Sequence, residues 1–470
     1  MAPKFGTSGL RGLVTELTPD LVADHVRAFL RACPNGGGLH LGRDLRSSSP
    51  ALADVVARTA RSEGLPVTDC GALPTPALAL AALNAGQAAI MVTGSHIPDD
   101  RNGLKFYTPE GEITKADEAA ILSALGAAPA RLSATLSADE SACARYAARY
   151  SGAYGGALIG LRVGVWQHSS VARDLLCEVL SACGAQAVPL GRSDRFLPVD
   201  TEAIEPEWRD MFAAWAAEHR LDALISTDGD ADRPLMADET GQVIPGDVLG
   251  ALTAEALAAE TVVTTVSANT CIDLTGRFRV IRTRIGSPYV IADMAPERIG
   301  NARVVGYEPN GGFLLGFAAR GPCGPMPQLR TRDCLLPLLA PLAEARARGL
   351  AVSALAARLP ARFTATARLQ GVEPAVARAF LAGVEADPAP LLAAAGLPAL
   401  KGIDRTDGWR GTAIGDDILH LRPSGNAPEF RIYAEAATAA RAEDIAARAC
   451  AAIARGLDQA PPRPDAFTAS

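Results

Sequence analysis

Three things are scarce in this 470-residue chain, and each scarcity removes a class of function. Long apolar runs are missing. The most apolar window, 72–92, is interrupted by Pro74, Pro76, Asn84 and Gln87, so it cannot span a bilayer and no membrane partner is expected. Positive charge is not in excess: 45 Lys and Arg face 52 Asp and Glu, for a net charge of −7, which argues against nucleic acid or an anionic membrane surface. Paired cysteine motifs are absent as well. The nine cysteines form no Cys-x-x-Cys, and the nearest two are Cys177 and Cys183, which reads as reduced structural thiols in a cytoplasmic protein. Lys4 leads directly into a glycine-rich loop, so no signal peptide is expected.

What remains is ordinary globular composition, 49% apolar and 21% charged, in a chain long enough for several domains. Short β-rich runs alternate with longer Ala/Leu/Arg helical patterns, which predicts α/β units with largely parallel strand pairing. The pattern recurs. Leu39-His40-Leu41-Gly42 leads to Ser47-Ser48, and Leu161-Arg162-Val163-Gly164 leads to Ser169-Ser170 at the same spacing, each followed by a helix. Residues 261–267 form a weaker third copy. The last hundred residues differ, with strand-like runs Ile418–Leu421 and Phe430–Tyr433 and a helix over about 439–455, as in a smaller α+β domain. The expected domains are 1–150, 151–250, 251–365 and 366–460, with a Pro-rich disordered tail over 461–470.

Four loops carry candidate chemistry. Thr93-Gly94-Ser95-His96-Ile97-Pro98 follows the apolar run Ala88–Val92 and has Lys105 ten residues beyond its serine. A serine needs activating neighbours to act as a nucleophile, and a Gly/Pro-punctuated loop suits a covalent role better than packing. Ser226-Thr227-Asp228-Gly229-Asp230-Ala231-Asp232-Arg233 can turn three carboxylates toward one hard cation. An EF-hand fails here because Arg233 occupies the position that needs glycine; a solvated turn is the bland alternative. In the loop over 422–431, Arg422, Ser424, Asn426 and Arg431 could cradle a phosphate, or simply form a polar turn between strands. In Val305-Gly306-Tyr307-Glu308-Pro309-Asn310-Gly311-Gly312, Glu308 and Asn310 could hold vicinal sugar hydroxyls, although a glutamate in a Gly/Pro turn ordinarily reads as exposed. Near the start, Arg11 in a glycine-rich loop could neutralise a phosphate on Ser95.

Taken together and in order, the loops resemble the α-D-phosphohexomutase superfamily, the phosphomannomutases and phosphoglucomutases. The resemblance runs over nearly the whole chain: GTSGLRG, GRDLRSSS at 42–49, TGSHIP with NGLKF, DGDADR, the sugar loop, and RPSGNAPEFR. It implies an α/β fold of four domains around a central cleft, three related α/β units with mixed sheets plus a C-terminal α+β domain.

The resemblance also implies that Ser95 is held as a phosphoserine and exchanges its phosphoryl group with a hexose phosphate through a hexose 1,6-bisphosphate, which doubles as activator. Mg2+ would be held by Asp228, Asp230, Asp232 and a phosphoserine oxygen. Lys105 and Arg11 fall where the family handles protons, with Lys105 as general acid/base and His96 either sharing that role or shaping the loop. Arg233, Glu308, Asn310, Arg422, Ser424, Gly425, Asn426 and Arg431 fall on substrate-binding positions. Two departures stand out. The usual sugar loop reads Gly-Glu-x-Ser-Gly-His, and here Asn310 and Gly312 replace the serine and histidine; the usual phosphate loop reads Ser-Gly-Thr-Glu-Pro, and here Asn426 and Ala427 replace threonine and glutamate. Mannose phosphates are the first expected substrates, then glucose phosphates, then glucosamine phosphate. A non-catalytic sugar-phosphate-binding protein and a magnesium phosphatase are the rival readings. A monomer or homodimer is expected.

Overall fold

The apolar run ahead of the serine loop becomes strand Ala88–Val92, buried at all five positions, as a strand covered on both faces must be. The computed structural model describes residues 3–6, 9–300, 302–424, 428–457 and 468–469. Unit 1 of the chain takes Met1–Ala259 and Gly286–Ala356; unit 2 takes Glu260–Ile285 and Ala357–Ser470.

In unit 1, Leu39–Arg43 pairs in parallel with Val67–Ala72 and with Ala88–Val92, and Val67–Ala72 pairs in parallel with Leu136–Ala138. The other half of this sheet is antiparallel, from Ala88–Val92 through Arg101–Thr108 and Leu10–Leu13 to Lys4–Phe5. The sheets are therefore mixed, as the family resemblance implies, and the largely parallel pairing expected from strand–helix alternation is corrected. The reason is loop length. A parallel return needs a crossover of about a dozen residues or more, and the serine loop between Val92 and Arg101 is too short to supply one.

The same geometry repeats twice. Gln186–Arg192, Arg162–His168 and Ala223–Thr227 run parallel, and then the aspartate loop turns back into antiparallel Pro234–Ala237. Val304–Tyr307 likewise turns through the sugar loop into antiparallel Phe313–Leu315, which pairs with Leu329–Asp333. All three loops thus leave the carboxyl end of a strand, where open α/β sheets present ligand sites.

The repeated strand–serine–helix pattern is realised as Leu39–Arg43 before helix Ser49–Ser62 and Arg162–His168 before helix Arg173–Ala182. The weaker copy, in unit 2, has strand Thr261–Thr265 with only the four-residue helix Cys271–Leu274 after it. Buried Asp333 fixes the end of its strand. It accepts the hydroxyl of Tyr146 at 2.5 Å, the hydroxyl of Tyr150, and the amide of Leu335 at 3.0 Å.

Unit 2 holds an antiparallel sheet in the order Leu400–Asp404, Trp409–Ala413, Ile418–Pro423, Glu429–Ala436, Phe363–Gln370. Inward-facing Ala365, Ala367, Leu369, Ile432 and Ala434 pack against the apolar stripe Ile445, Ala449 and Ile453 of helix Ala439–Gly456. The tail expected to be disordered lies outside the described residues, apart from Thr468–Ala469, whose backbone pairs with Ala365 and Thr366. All nine cysteines are free thiols. No described helix is long and apolar enough to cross a membrane.

His420 is buried in the unit 2 sheet, where its Nε2 lies 2.6 Å from the Asp407 carbonyl oxygen. Burial pushes its pKa down to about 4. The ring is therefore neutral in the folded unit and titrates near 6.5 when unfolded. The stability that depends on this is complete above pH 6.5 and is lost as pH falls toward 4, by about 2–3 kcal/mol. Hydrogen-exchange protection of strand Ile418–Pro423 should drop accordingly between pH 7 and 4.5, and His420→Gln should flatten that dependence.

Candidate active site

Ser95 stands in the left-handed region, at φ 54°. A side-chain-bearing residue seldom adopts that backbone, and it persists only where the surroundings enforce it. Here the enforcement comes from Asp44 and Arg46, both 1% exposed. The Ser95 amide donates to Thr93 Oγ1 at 2.8 Å, and that hydroxyl donates to Asp44 Oδ2 at 2.7 Å. The Arg46 guanidinium donates to the carbonyls of Ser95 (2.9 Å), Ile97 (2.6 Å), Pro98 (2.7 Å) and Arg101 (3.0 Å), while its Nε pairs with Asp44 at 3.2 Å. Its flat face stacks on Phe196, 4.0 Å from the ring centre. Asp44 also accepts Ser49 Oγ at 2.5 Å. The GRDLRSSS segment thus acts as the mould of the serine loop.

The aspartate loop brings Asp228, Asp230 and Asp232 together, all fully buried, with one carboxylate oxygen from each lying within 4.8 Å of the others. This overturns the solvated-turn alternative. Ser95 Oγ donates to Asp228 Oδ2 at 2.5 Å. Lys105 Nζ donates at 2.6 Å to both Asp230 Oδ2 and Asp232 Oδ2. Thr75 reaches Asp230 through its hydroxyl, and its amide reaches the Asp230 carbonyl at 2.9 Å. Burial, then the neighbouring Asp230 and Asp232, push the Asp228 carboxyl well above the usual range. Burial opposes the charge on Asp232 too, but Arg332, Lys105 and Arg233 outweigh it and hold that carboxyl below the usual range.

The two loops meet at Gly229, where a Cβ would lie 2.9 Å from both the Ser95 carbonyl oxygen and the Phe196 ring.

Three further groups surround Ser95. His96 Nδ1 lies 3.3 Å from Ser95 Oγ, and burial together with Arg233 and Arg11 drives its pKa well below the usual value, so the ring is neutral. Arg11 sits opposite Gly103 in the sheet, near Lys105 on the neighbouring strand. Burial and nearby Arg233 lower its pKa to about 10, which leaves it a cation at neutral pH. Arg233 is buried, its Nη1 3.9 Å from both Asp200 and Glu202.

The sugar-loop glutamate is not an exposed turn residue: Glu308 and Asn310 are each 5% exposed. Burial raises the Glu308 pKa, and the nearby cations Arg332 and Arg233 oppose the rise. Asn310 Oδ1 accepts the Gly312 amide at 3.0 Å, so it shapes its own loop. In unit 2, Arg422 and Arg431 face each other across a hairpin, the Ser424 amide donates to the Glu429 carbonyl at 2.8 Å, and Arg422 Nε pairs with Asp407 at 3.0 Å. Gly425 and Asn426 lie outside the described residues. Asp44, Arg46, Thr75, Glu112 and Arg332 join the site although their sequence surroundings point to no chemistry. Asp44 and Arg46 at least fell inside a noted motif, whereas nothing in the local sequence marked the other three.

Four consecutive segments match one family: residues 2–130, 153–241 and 245–363 match phosphoglucomutase/phosphomannomutase alpha/beta/alpha domains I, II and III, and 362–452 match its C-terminal domain. A phosphomannomutase of Sinorhizobium fredii (strain NBRC 101917 / NGR234) is 43% identical, covering 96% of this chain and 99% of its own. One from Salmonella muenchen is 40% identical over 92% and 91%. In fold, the chain is similar to a phosphoglucomutase/phosphomannomutase family protein of Burkholderia thailandensis, with TM-score 0.76, 22% identity and coverage of 96% and 97%. A putative phosphomannomutase from Thermus thermophilus gives TM-score 0.75 and 22% identity over 97% and 99%. The protein is an isomerase of the phosphotransferase type. It belongs to the phosphoglucomutase/phosphomannomutase family, within the α-D-phosphohexomutase superfamily.

The tight approach at Gly229 yields a test. Gly229→Ala forces the serine and aspartate loops apart and should cost about 1–3 kcal/mol of stability by urea denaturation. A variant as stable as the parent would show that the loops are not packed this closely.

Proposed function

We propose that the chain interconverts hexose 6-phosphate and hexose 1-phosphate, with mannose phosphates as its preferred substrates. The observation that carries this reading is the Ser95 hydroxyl held 2.5 Å from Asp228 in a buried cluster of three carboxylates. The mannose preference is supported by the two phosphomannomutase relatives at 43% and 40% identity.

The cluster fits a hard divalent cation. Asp230 Oδ1 and Asp232 Oδ1 are buried without a hydrogen-bond partner, which is costly unless a cation takes them. Asp228, Asp230 and Asp232, with an oxygen on Ser95, would hold Mg2+, which when bound would supply charge neutralisation for a phosphoryl group. Ser95 carries that phosphoryl group. The bond from phosphorus to Ser95 Oγ breaks as a bond to a sugar hydroxyl forms. The sugar hydroxyl gives up its proton, for which neutral His96, 3.3 Å from Ser95 Oγ, is a base outside the carboxylate cluster, and the Lys105 ammonium is the proton donor to the departing Ser95 oxygen. Arg11 and Arg233 balance the phosphate charge. Reorientation of the hexose 1,6-bisphosphate then returns its other phosphoryl group to Ser95, so that bisphosphate also serves as activator.

Glu308 and Asn310 hold sugar hydroxyls, while Arg422, Ser424, Gly425, Asn426 and Arg431 grip the phosphate that does not react. The division of labour follows 1–150 for the serine, 151–250 for the metal, 251–365 for the sugar and 366–460 for the distal phosphate.

Ser95→Ala should lower conversion of mannose 1-phosphate to mannose 6-phosphate by about a thousandfold or more in a coupled assay. Largely retained activity would instead point to an aspartate nucleophile and sink the proposal.

A further inference from the structure

Arg332 ends up against the sugar loop with no role in the reading above. It is 3% exposed, on the strand that Asp333 anchors, and its neighbour Asp333 pairs with Phe313 across the sheet. Its Nη2 lies 3.0 Å from Asp232 Oδ2 and its Nε lies 3.5 Å from Glu112 Oε1, yet neither nitrogen makes a hydrogen bond. Both carboxylates have other donors. Asp232 takes Lys105 at 2.6 Å, and Glu112 takes the hydroxyls of Ser287 at 2.9 Å and Thr331 at 3.3 Å. The fork is thus electrically held but leaves buried N–H groups unspent, at a cost that a ligand oxygen would relieve.

Gly312 shows what the arginine displaces. A Cβ there would sit 3.0 Å from Arg332 Cγ, 3.1 Å from its Cδ and 3.1 Å from Asn310 Oδ1. The Arg332 stem covers the ground that a side chain at 312 would need. Asn310 spends one lone pair of its Oδ1 on the Gly312 amide. The loop has no side chain at 312, and a planar donor set lies beside it on the neighbouring strand.

We propose that Arg332 is a substrate-binding residue whose Nε and Nη2 donate to a ring hydroxyl of the hexose beside Gly312. The inference rests on the sugar-phosphate reading. The guanidinium fork matters as well as its charge, because a lysine at this position offers a point charge and cannot reproduce two fixed donors.

The full-length protein, in magnesium-free buffer, is titrated calorimetrically with mannose 1-phosphate and, as a ring-free control, with inorganic phosphate. Arg332→Lys keeps the charge that Asp232 and Glu112 face, so the fold is retained. It should weaken mannose 1-phosphate about tenfold or more and leave inorganic phosphate within about twofold. Gly312→Ala, which crowds the Arg332 stem, should weaken the sugar phosphate in the parent but add less than about twofold on top of Arg332→Lys, as residues sharing one contact do. Equal losses for both ligands would mark Arg332 as structural and overturn the inference, as would sugar binding unchanged by Arg332→Lys or a Gly312→Ala effect of the same size in both backgrounds. A parent protein that binds mannose 1-phosphate no better than phosphate would instead defeat the sugar-phosphate reading itself.

Discussion

Burying three carboxylates within the short loop between Thr227 and Pro234 is the constraint on which unit 1 depends. Asp228, Asp230 and Asp232 have no access to water, and removing such charges from solvent is expensive unless they are paired and hydrogen-bonded. The compensation comes from distant parts of the chain. Lys105 and Arg332 supply positive charge, and Ser95 and Thr75 supply hydroxyls. The same balance leaves two carboxylate oxygens without partners, which is where the chemistry of a hard cation belongs. The serine is therefore part of an electrostatic arrangement, and its hydroxyl is already turned toward the acidic cluster.

Holding the serine there takes a second buried ion pair. Asp44 and Arg46 bond to one another and to the serine loop, so the left-handed Ser95 is over-determined by the main chain and side chains around it rather than by its own preference. The loops carrying the serine, the aspartates and Glu308 share one origin. Each is a return too short for a parallel crossover, so each chain reversal creates both an antiparallel strand and a loop at a strand's carboxyl end.

Much of this was legible in the residue order. The Gly/Pro punctuation around Ser95 and the alternate aspartates at 228–232 marked loops with chemistry, and the spacing of strand, glycine and serine pair marked the repeat. Three kinds of feature stayed hidden from local pattern, and of these only the first was carried by the family resemblance. The mixed sheets depend on how short loops limit pairing, which helix–strand alternation alone does not weigh. The cations that favour charge on buried Glu308, Arg332 and Arg233, lie outside its loop in sequence. Arg332 itself sits in a plain Thr-Arg-Asp run, and its position becomes meaningful only when Phe313 and Asp333 pair and carry it over Gly312. Local pattern marks loops; partner identity across long stretches of chain requires the fold.

The central claim is that the Ser95 hydroxyl is the group that carries phosphate. Intact-mass analysis of the protein after incubation with a hexose 1,6-bisphosphate and magnesium, followed by peptide mapping, tests it most directly. The account predicts a gain of a single phosphoryl group located on Ser95. A protein that gains none at any magnesium concentration, or gains it on Asp228, Asp230 or Asp232, would contradict it.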